Sequence, residues 1–277
     1  MAAAARFIKP VLDDGGGIMC IVALAWRAHP RWQLVLIGNR DEYHARPAAA
    51  MARWDDRPGL IAGRDLQSGG TWLGADEQGR AAVITNLRGF GDPLPDRASR
   101  GALVTDLLTG SGTYADPHAA ALDDFNPFNL LLADRDRLVF LTNRPEPQRS
   151  LLAPGLYGLS NGPLDQPWPK TLALKEAMLQ WLVAGATDPE NLFEALRRET
   201  LPATGIAPAT PSDAPLEPPL SPHLHPQPRL WHTLQQRRRH RPGRRRPGAG
   251  TPLRCARPGH RRQPHPLPLA EILIWTI

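Results

Sequence analysis

The hydrophobic periodicity of this chain ends at Leu201, and that boundary limits how much of it can fold. Between Cys20 and Leu201, short apolar runs alternate with turn residues. Beyond it, residues 202–230 are rich in Pro, Ala and Ser, and residues 235–264 in Arg, Pro, Gly and His. Segments of that composition bury too little apolar surface to offset the entropy of ordering, so a disordered tail is expected over 217–277. The charge divides in the same region. Residues 1–230 carry 22 Lys and Arg against 26 Asp and Glu, whereas residues 231–277 carry 11 against one. The formal charge of +6 therefore describes the tail and not a recognition surface. The basic stretch also lacks the interleaved aromatics of a single-strand binding platform, so no specific nucleic-acid partner is expected.

Within the periodic part, Cys20–Trp26 reads as a buried strand and Gln33–Gly38 as its neighbour across a turn at His29-Pro30. Further strands are expected at 59–63, 71–75, 80–86 and 155–160, with a hairpin of 129–134 and 137–142 about Asp134-Arg135-Asp136. Helices are expected at 99–109, 116–124, 170–184 and 188–198. Strands, then helices, then strands again argue for a layered α+β domain and against a doubly wound one. There is no GxGxxG or Walker sequence and no internal repeat.

Cys20 and Cys255 form no metal spacing and no disulfide framework, which fits a reducing compartment. No apolar run reaches the roughly 18 residues of a membrane span. The opening residues place acids and glycines where a signal peptide would carry its apolar centre. A cytoplasmic location is expected. Only three lysines stand against 30 arginines, which predicts a GC-rich, bacterial source.

Three groups of residues could carry chemistry. Cys20 follows Met19, so initiation there and loss of the methionine would leave a thiol beside its own α-amine, a base of near-neutral pKa. At the end of the second strand, Asn39-Arg40-Asp41-Glu42 is the densest polar cluster: Arg40 can clamp an anion, Asp41 can restrain a cationic amine and Asn39 can donate from its amide. Asn86, with Arg88 near it, and Asn161 also end apolar strands and are candidate oxyanion donors. Taken alone, each has a plain structural reading as core thiol, solvated turn or Asn-Gly turn. Gly69–Gly74 lacks the lysine of a phosphate loop and reads as a turn into a strand, with Trp72 as core or pocket wall. No histidine spacing suggests a metal site.

Met19-Cys20-Ile21, Asn39-Arg40-Asp41-Glu42 with Arg46-Pro47, Gly63-Arg64-Asp65, Gly69–Gly74, Thr85-Asn86-Leu87-Arg88 and Tyr157–Gly162 together resemble the NRDE family, also called the transport and Golgi organisation family. The resemblance runs from residue 19 to about 205. It implies an αββα sandwich like that of N-terminal-nucleophile hydrolases, with Cys20 as nucleophile, Arg40 and Asp41 beside it, and Asn86 and Asn161 at the substrate or oxyanion. It also implies an N-terminal-cysteine amide hydrolase or acyltransferase that needs no cofactor. The alternatives are a haem-binding or haem-trafficking protein, with haem or another small amphipathic molecule in the same cleft, and an inactive product. Eukaryotic members are associated with membrane and lipid homeostasis.

Two departures from that pattern bear on domain organisation. Residues 1–18 precede the expected start and are read as a spurious or disordered extension, leaving 19–216 as the domain. The family continues with strands carrying a Tyr-Gly-Thr-Arg-x-Ser-like motif, absent here. Yet Leu230–Gln236 can be encoded by bases that read Tyr-Gly-Thr-Arg-Cys-Ser in another frame, so the last strands are expected to be missing through a frameshift near residue 217.

Overall fold

The computed structural model describes residues 20–40, 46–196 and 205, together with the backbone of 272–276. These belong to one unit, Met1–Leu216 with Leu267–Ile277; the other, Glu217–Pro266, lies wholly outside the described residues, as do the expected extension at 1–18 and Asp41.

The fold is mixed α+β with two sheets. In the first, β1 (Ile21–His29) pairs antiparallel with β2 (Trp32–Asn39) on one side and with β10 (Gly155–Leu159) on the other. Its fourth member, β11 (Ile272–Thr276), runs parallel to β2. The expectation of disorder through residue 277 differs here. Ile272, Ile274 and Thr276 are β-branched and Trp275 is aromatic, and β2 offers this segment an edge to pair with.

The second sheet has seven antiparallel strands in chain order: β3 (Ala48–Arg53), β4 (Leu60–Asp65), β5 (Leu73–Asp76), β6 (Ala81–Asn86), β7 (Phe128–Ala133), β8 (Leu138–Thr142) and β9 (Gln148–Leu152). Its helix is α1 (Arg100–Thr109), which packs on β4, β5 and β6. Ser99 starts that helix by accepting the Ala102 N–H, and Gly110 ends it in the left-handed region.

β1 reads as one continuous apolar run because both of its faces are covered. Val22, Leu24 and Trp26 join a core shared with the seven-stranded sheet and α1, whereas Ile21, Ala23 and Ala25 face a second core. That second core is closed by α2 (Pro169–Val183) and α3 (Glu190–Leu196), through Leu174, Met178, Trp181 and Phe193. β2 divides the same way, Leu34 and Leu36 to one side and Val35 and Ile37 to the other. With both faces apolar, β1 is thereby buried from Ile21 to Trp26.

Three local expectations differ from the structure. The helix expected at 116–124 is a turn at Asp116–Ala120 followed by a short 3-10 turn, Leu122–Asp124. Asp116 caps its own turn by accepting the His118 N–H, a local bond that competes with helix. β3 and β9 were not expected. They are the two edges of the seven-stranded sheet and largely exposed, so they carry no apolar alternation to read.

Candidate active site

A pocket of about 470 Å³ opens where the first sheet's strand ends meet the loops of the second. Cys20 and Arg40 line it from just before β1 and just after β2, Ile84 and Asn86 from β6, Asp65 from the end of β4, Gln67, Ser68 and 70–72 from the β4–β5 connection, and 94–95 and 97–101 from the segment that leads into α1. That volume suits a small molecule.

Cys20 is half-buried at the head of β1, just before the Ile21–Asn39 pair. Its carbonyl is held from two directions: Ser160 Oγ donates to it at 2.6 Å and Lys170 Nζ lies at 3.5 Å. Ser160 follows β10, and Lys170 stands in the first turn of α2 behind Pro169. The residue is thus fixed through its C-terminal side.

Strand alternation separates Asn39 from Arg40. The Asn39 amide donates to Leu196 O at 2.9 Å, tying β2 to α3 instead of serving the pocket. Arg40 turns the other way, its guanidinium carbon 3.9 Å above the centre of the Trp72 ring and Nη2 3.4 Å from Asp65 Oδ2. Gly63 makes room for that indole, since a Cβ there would press on Trp72.

Asp65 is the carboxylate among the described lining residues. Its Oδ1 accepts the N–H groups of Gln67 and Ser68 at 2.9 and 3.0 Å, and its Oδ2 accepts Arg46 Nε at 2.7 Å. Burial pushes its pKa upward, but the Ser68 N–H, the Arg46 hydrogen bond and the Arg46 charge outweigh it, and the carboxyl sits below its ordinary value. Asp65 therefore stays ionised between two arginines.

Asn86 closes β6 with its side chain exposed to the pocket. Asn161 is not among the lining residues. It lies behind Asn86, its Nδ2 donating to Asn86 O at 2.8 Å and its carbonyl accepting the Arg88 N–H at 2.9 Å, while its own Oδ1 is buried without a hydrogen-bond partner. With Thr85 Oγ1 donating to Ser160 O at 2.8 Å, these bonds stitch the end of β6 to the end of β10.

Of the residues singled out from the sequence, Cys20, Arg40 and Asn86 share the pocket, Asn161 supports it from behind, and Asp41 lies outside the described residues. Three contributors carried no role in the sequence reading. Asp65 was quoted only within a motif, although Asp65-x-x-Ser68 before Gly69-Gly70 is a turn signature that fixes the carboxylate. Arg97 and Arg100 had no signal beyond their place before and at the start of an expected helix. Arg97 Nη1 donates to Asp123 O at 2.7 Å and Arg100 Nη1 to Pro127 O at 3.0 Å. Among the described residues no group of three or more His, Cys, Asp or Glu is placed to hold a metal ion, and no helix is long and apolar enough to cross a membrane.

Residues 19–227 match the family model described as Transport and Golgi organisation 2. The Bos taurus transport and Golgi organization protein 2 homolog is 34% identical over 194 residues, 64% of this chain and 69% of the relative. The Mus musculus homolog is 32% identical over 192 residues, 63% of this chain and 68% of the relative. Among solved structures, a Caenorhabditis elegans N-acylethanolamine-hydrolyzing acid amidase ortholog overlaps 65% of this chain and 86% of its own, at 13% identity and a TM-score of 0.41. The curated relatives are mammalian, yeast and fly proteins, which overturns the bacterial source expected from the arginine content. An Arg-to-Lys ratio reports nucleotide composition, not lineage.

Proposed function

The chain belongs to the transport and Golgi organisation 2 family, and from that premise we propose that it is an amide hydrolase or acyltransferase in which Cys20 is the nucleophile. The observation that carries the reading is the placing of Cys20 at the head of a buried strand, in one pocket with Asn86 and Arg40, with its carbonyl gripped by Ser160 and Lys170. The mechanism requires Cys20 to be the first residue, through initiation at Met19 and loss of the methionine. The freed α-amine then takes the thiol proton, and the thiolate attacks the substrate carbonyl. The Asn86 amide and a main-chain N–H hold the oxyanion while Asn161 keeps the Asn86 backbone in place. Collapse breaks the C–N bond, the ammonium returns its proton to the leaving amine, and water or another acceptor releases the acyl group from sulfur. Arg40, stacked on Trp72 and paired with Asp65, shapes the wall beside the reacting centre. The four-layer αββα arrangement belongs to the same reading.

The test compares the chain beginning at Cys20 with the chain retaining residues 1–19, using 4-nitrophenyl acetate as the acyl donor. The first should release a burst of 4-nitrophenolate and gain one acetyl group on the Cys20 peptide, about tenfold or more faster than the second. Cys20→Ser should abolish the burst. Equal acylation with and without the free amine would sink the mechanism. Haem, the other ligand implied by the resemblance, is the competing arm: a Soret shift on titration that survives Cys20→Ser, with no burst in the parent chain, would replace the hydrolase reading.

A further inference from the structure

We infer that Asn126 is a positioning residue of this pocket: its side-chain amide fixes Leu94 in the wall, and Leu94 is the residue on which the apolar part of an entering molecule is read. The inference names a specificity determinant of the site just described and rests on that reading only in taking the same pocket as the place of reaction.

Leu94 lies in the connection between β6 and α1, where residues 87–99 form no helix and no strand. Gly89 and Gly91 take the left-handed region there, at φ of 88° and 85°, and Pro93 and Pro95 flank Leu94 without an N–H to offer. The course of such a stretch is set by what its remaining polar groups reach. For Leu94 that is Asn126, whose Oδ1 accepts the Leu94 N–H at 2.8 Å and whose Nδ2 donates to Leu94 O at 2.8 Å. A primary amide carries its acceptor and donors side by side, so it pairs with this main-chain unit as a neighbouring strand would. The connection is stapled again at Ala98, whose N–H donates to Asp124 O at 3.0 Å. Asn126 in turn rests on the core. Fully buried Asn143 donates from Nδ2 to Phe125 O at 2.9 Å and accepts the Phe128 N–H at Oδ1, also at 2.9 Å, on either side of it. Leu94 is thus held by its backbone and yet 50% exposed, while it lines the same pocket as Cys20. Leu66 and Phe90, exposed as well, stand in the β4–β5 and β6–α1 connections that frame the opening. A fixed apolar side chain on an open wall gains free energy when apolar surface covers it, and its continuity with the lining makes the molecule seated in the pocket that cover.

Cys20 reports on this wall without any substrate being known. Its thiolate adds to a maleimide, sulfur bonding to one alkene carbon while the other takes a proton from water. N-methylmaleimide and N-phenylmaleimide are both neutral and differ in the apolar ring. The full chain is treated with each, and the rate at Cys20 is read from its tryptic peptide beside the rate for free N-acetylcysteinamide. The ratio of N-phenyl to N-methyl rates at Cys20 should exceed that of the free thiol by about fivefold. Leu94→Ser should return the ratio towards the free thiol, and Asn126→Ala should do the same with Leu94 intact. Asn126→Asp, which keeps the acceptor for the Leu94 N–H, should fall between, and Leu151→Ser, an exposed apolar residue outside the pocket, should leave the ratio unchanged. A parent ratio equal to that of the free thiol overturns the inference even if a variant fails to fold. A raised ratio that survives Leu94→Ser overturns the assignment to Leu94, and one that falls in Leu94→Ser but survives Asn126→Ala overturns the positioning role of Asn126. Cys20 inert to both maleimides removes the shared pocket and both readings with it. A raised ratio in a chain that gives no burst with 4-nitrophenyl acetate sinks the hydrolase reading alone, so the two failures are told apart.

Discussion

Asp65 concentrates the electrostatics of the site in one side chain. Its folded pKa lies below the ordinary value, so its ionised form is worth more to the folded chain than to the unfolded one. That stability is fully present above the unfolded pKa of about 3.9 and is lost as pH falls through the lower, folded value. Asp65→Asn keeps an acceptor for the Gln67 and Ser68 N–H groups but leaves Arg40 and Arg46 without their shared anion. The variant should lose about 2 kcal/mol at pH 7, and the gap to the parent should close in the acid limb below about pH 4. Urea denaturation of both proteins across that range measures it. A gap that is absent at neutral pH, or that widens in acid, would show that the pairing contributes nothing. Cys20 differs from Asp65 in being fixed through its main chain, by Ser160 and Lys170.

At the scale of elements, α1 is held to the pocket by a backbone contact that only glycine permits. A Cβ on Gly70 would collide with the main chain of Gly101, and the Thr71 N–H donates to Gly101 O at 3.2 Å across that approach. Gly70→Ala should therefore cost about 1–3 kcal/mol and shift the start of α1, carrying Arg100 with it. Thermal unfolding gives the cost, and the rate of Cys20 alkylation by iodoacetamide gives the displacement. An unchanged rate in a destabilised variant would show that α1 keeps its place. The sequence reading placed β1, β2, β10, α1 and the β7–β8 hairpin within a few residues, because each has a period and a bounding turn of its own. It missed β3 and β9 because an edge strand such as Ala48–Arg53 borrows its conformation from a neighbour. Cys20, Arg40 and Asn86 were legible because each ends or begins an apolar run. Arg97 and Arg100 were not, since their relation to the pocket depends on where the chain before β7 folds back, which no local pattern encodes.

Across the whole molecule, protection should follow depth in the sheets. β6 and β7 lie in the middle of the seven-stranded sheet and are almost wholly buried, whereas β3 and β9 form its exposed edges. Native-state hydrogen exchange should show amides of 82–85 and 129–132 opening only with global unfolding, and those of 49–52 and 149–151 opening locally, about two or more orders of magnitude faster. Uniform protection across the sheet would mean that the edges are covered. The strand that divides the two cores has a quieter consequence. Along β1, Val22, Leu24 and Trp26 answer to one set of neighbours and Ile21, Ala23 and Ala25 to another. Residues adjacent in the chain are strangers in space, while partners in substitution lie one strand or one helix away. Lineages can drift at alternate letters of this segment almost independently, each letter keeping pace with a distant part of the text and neither constrained by the one beside it.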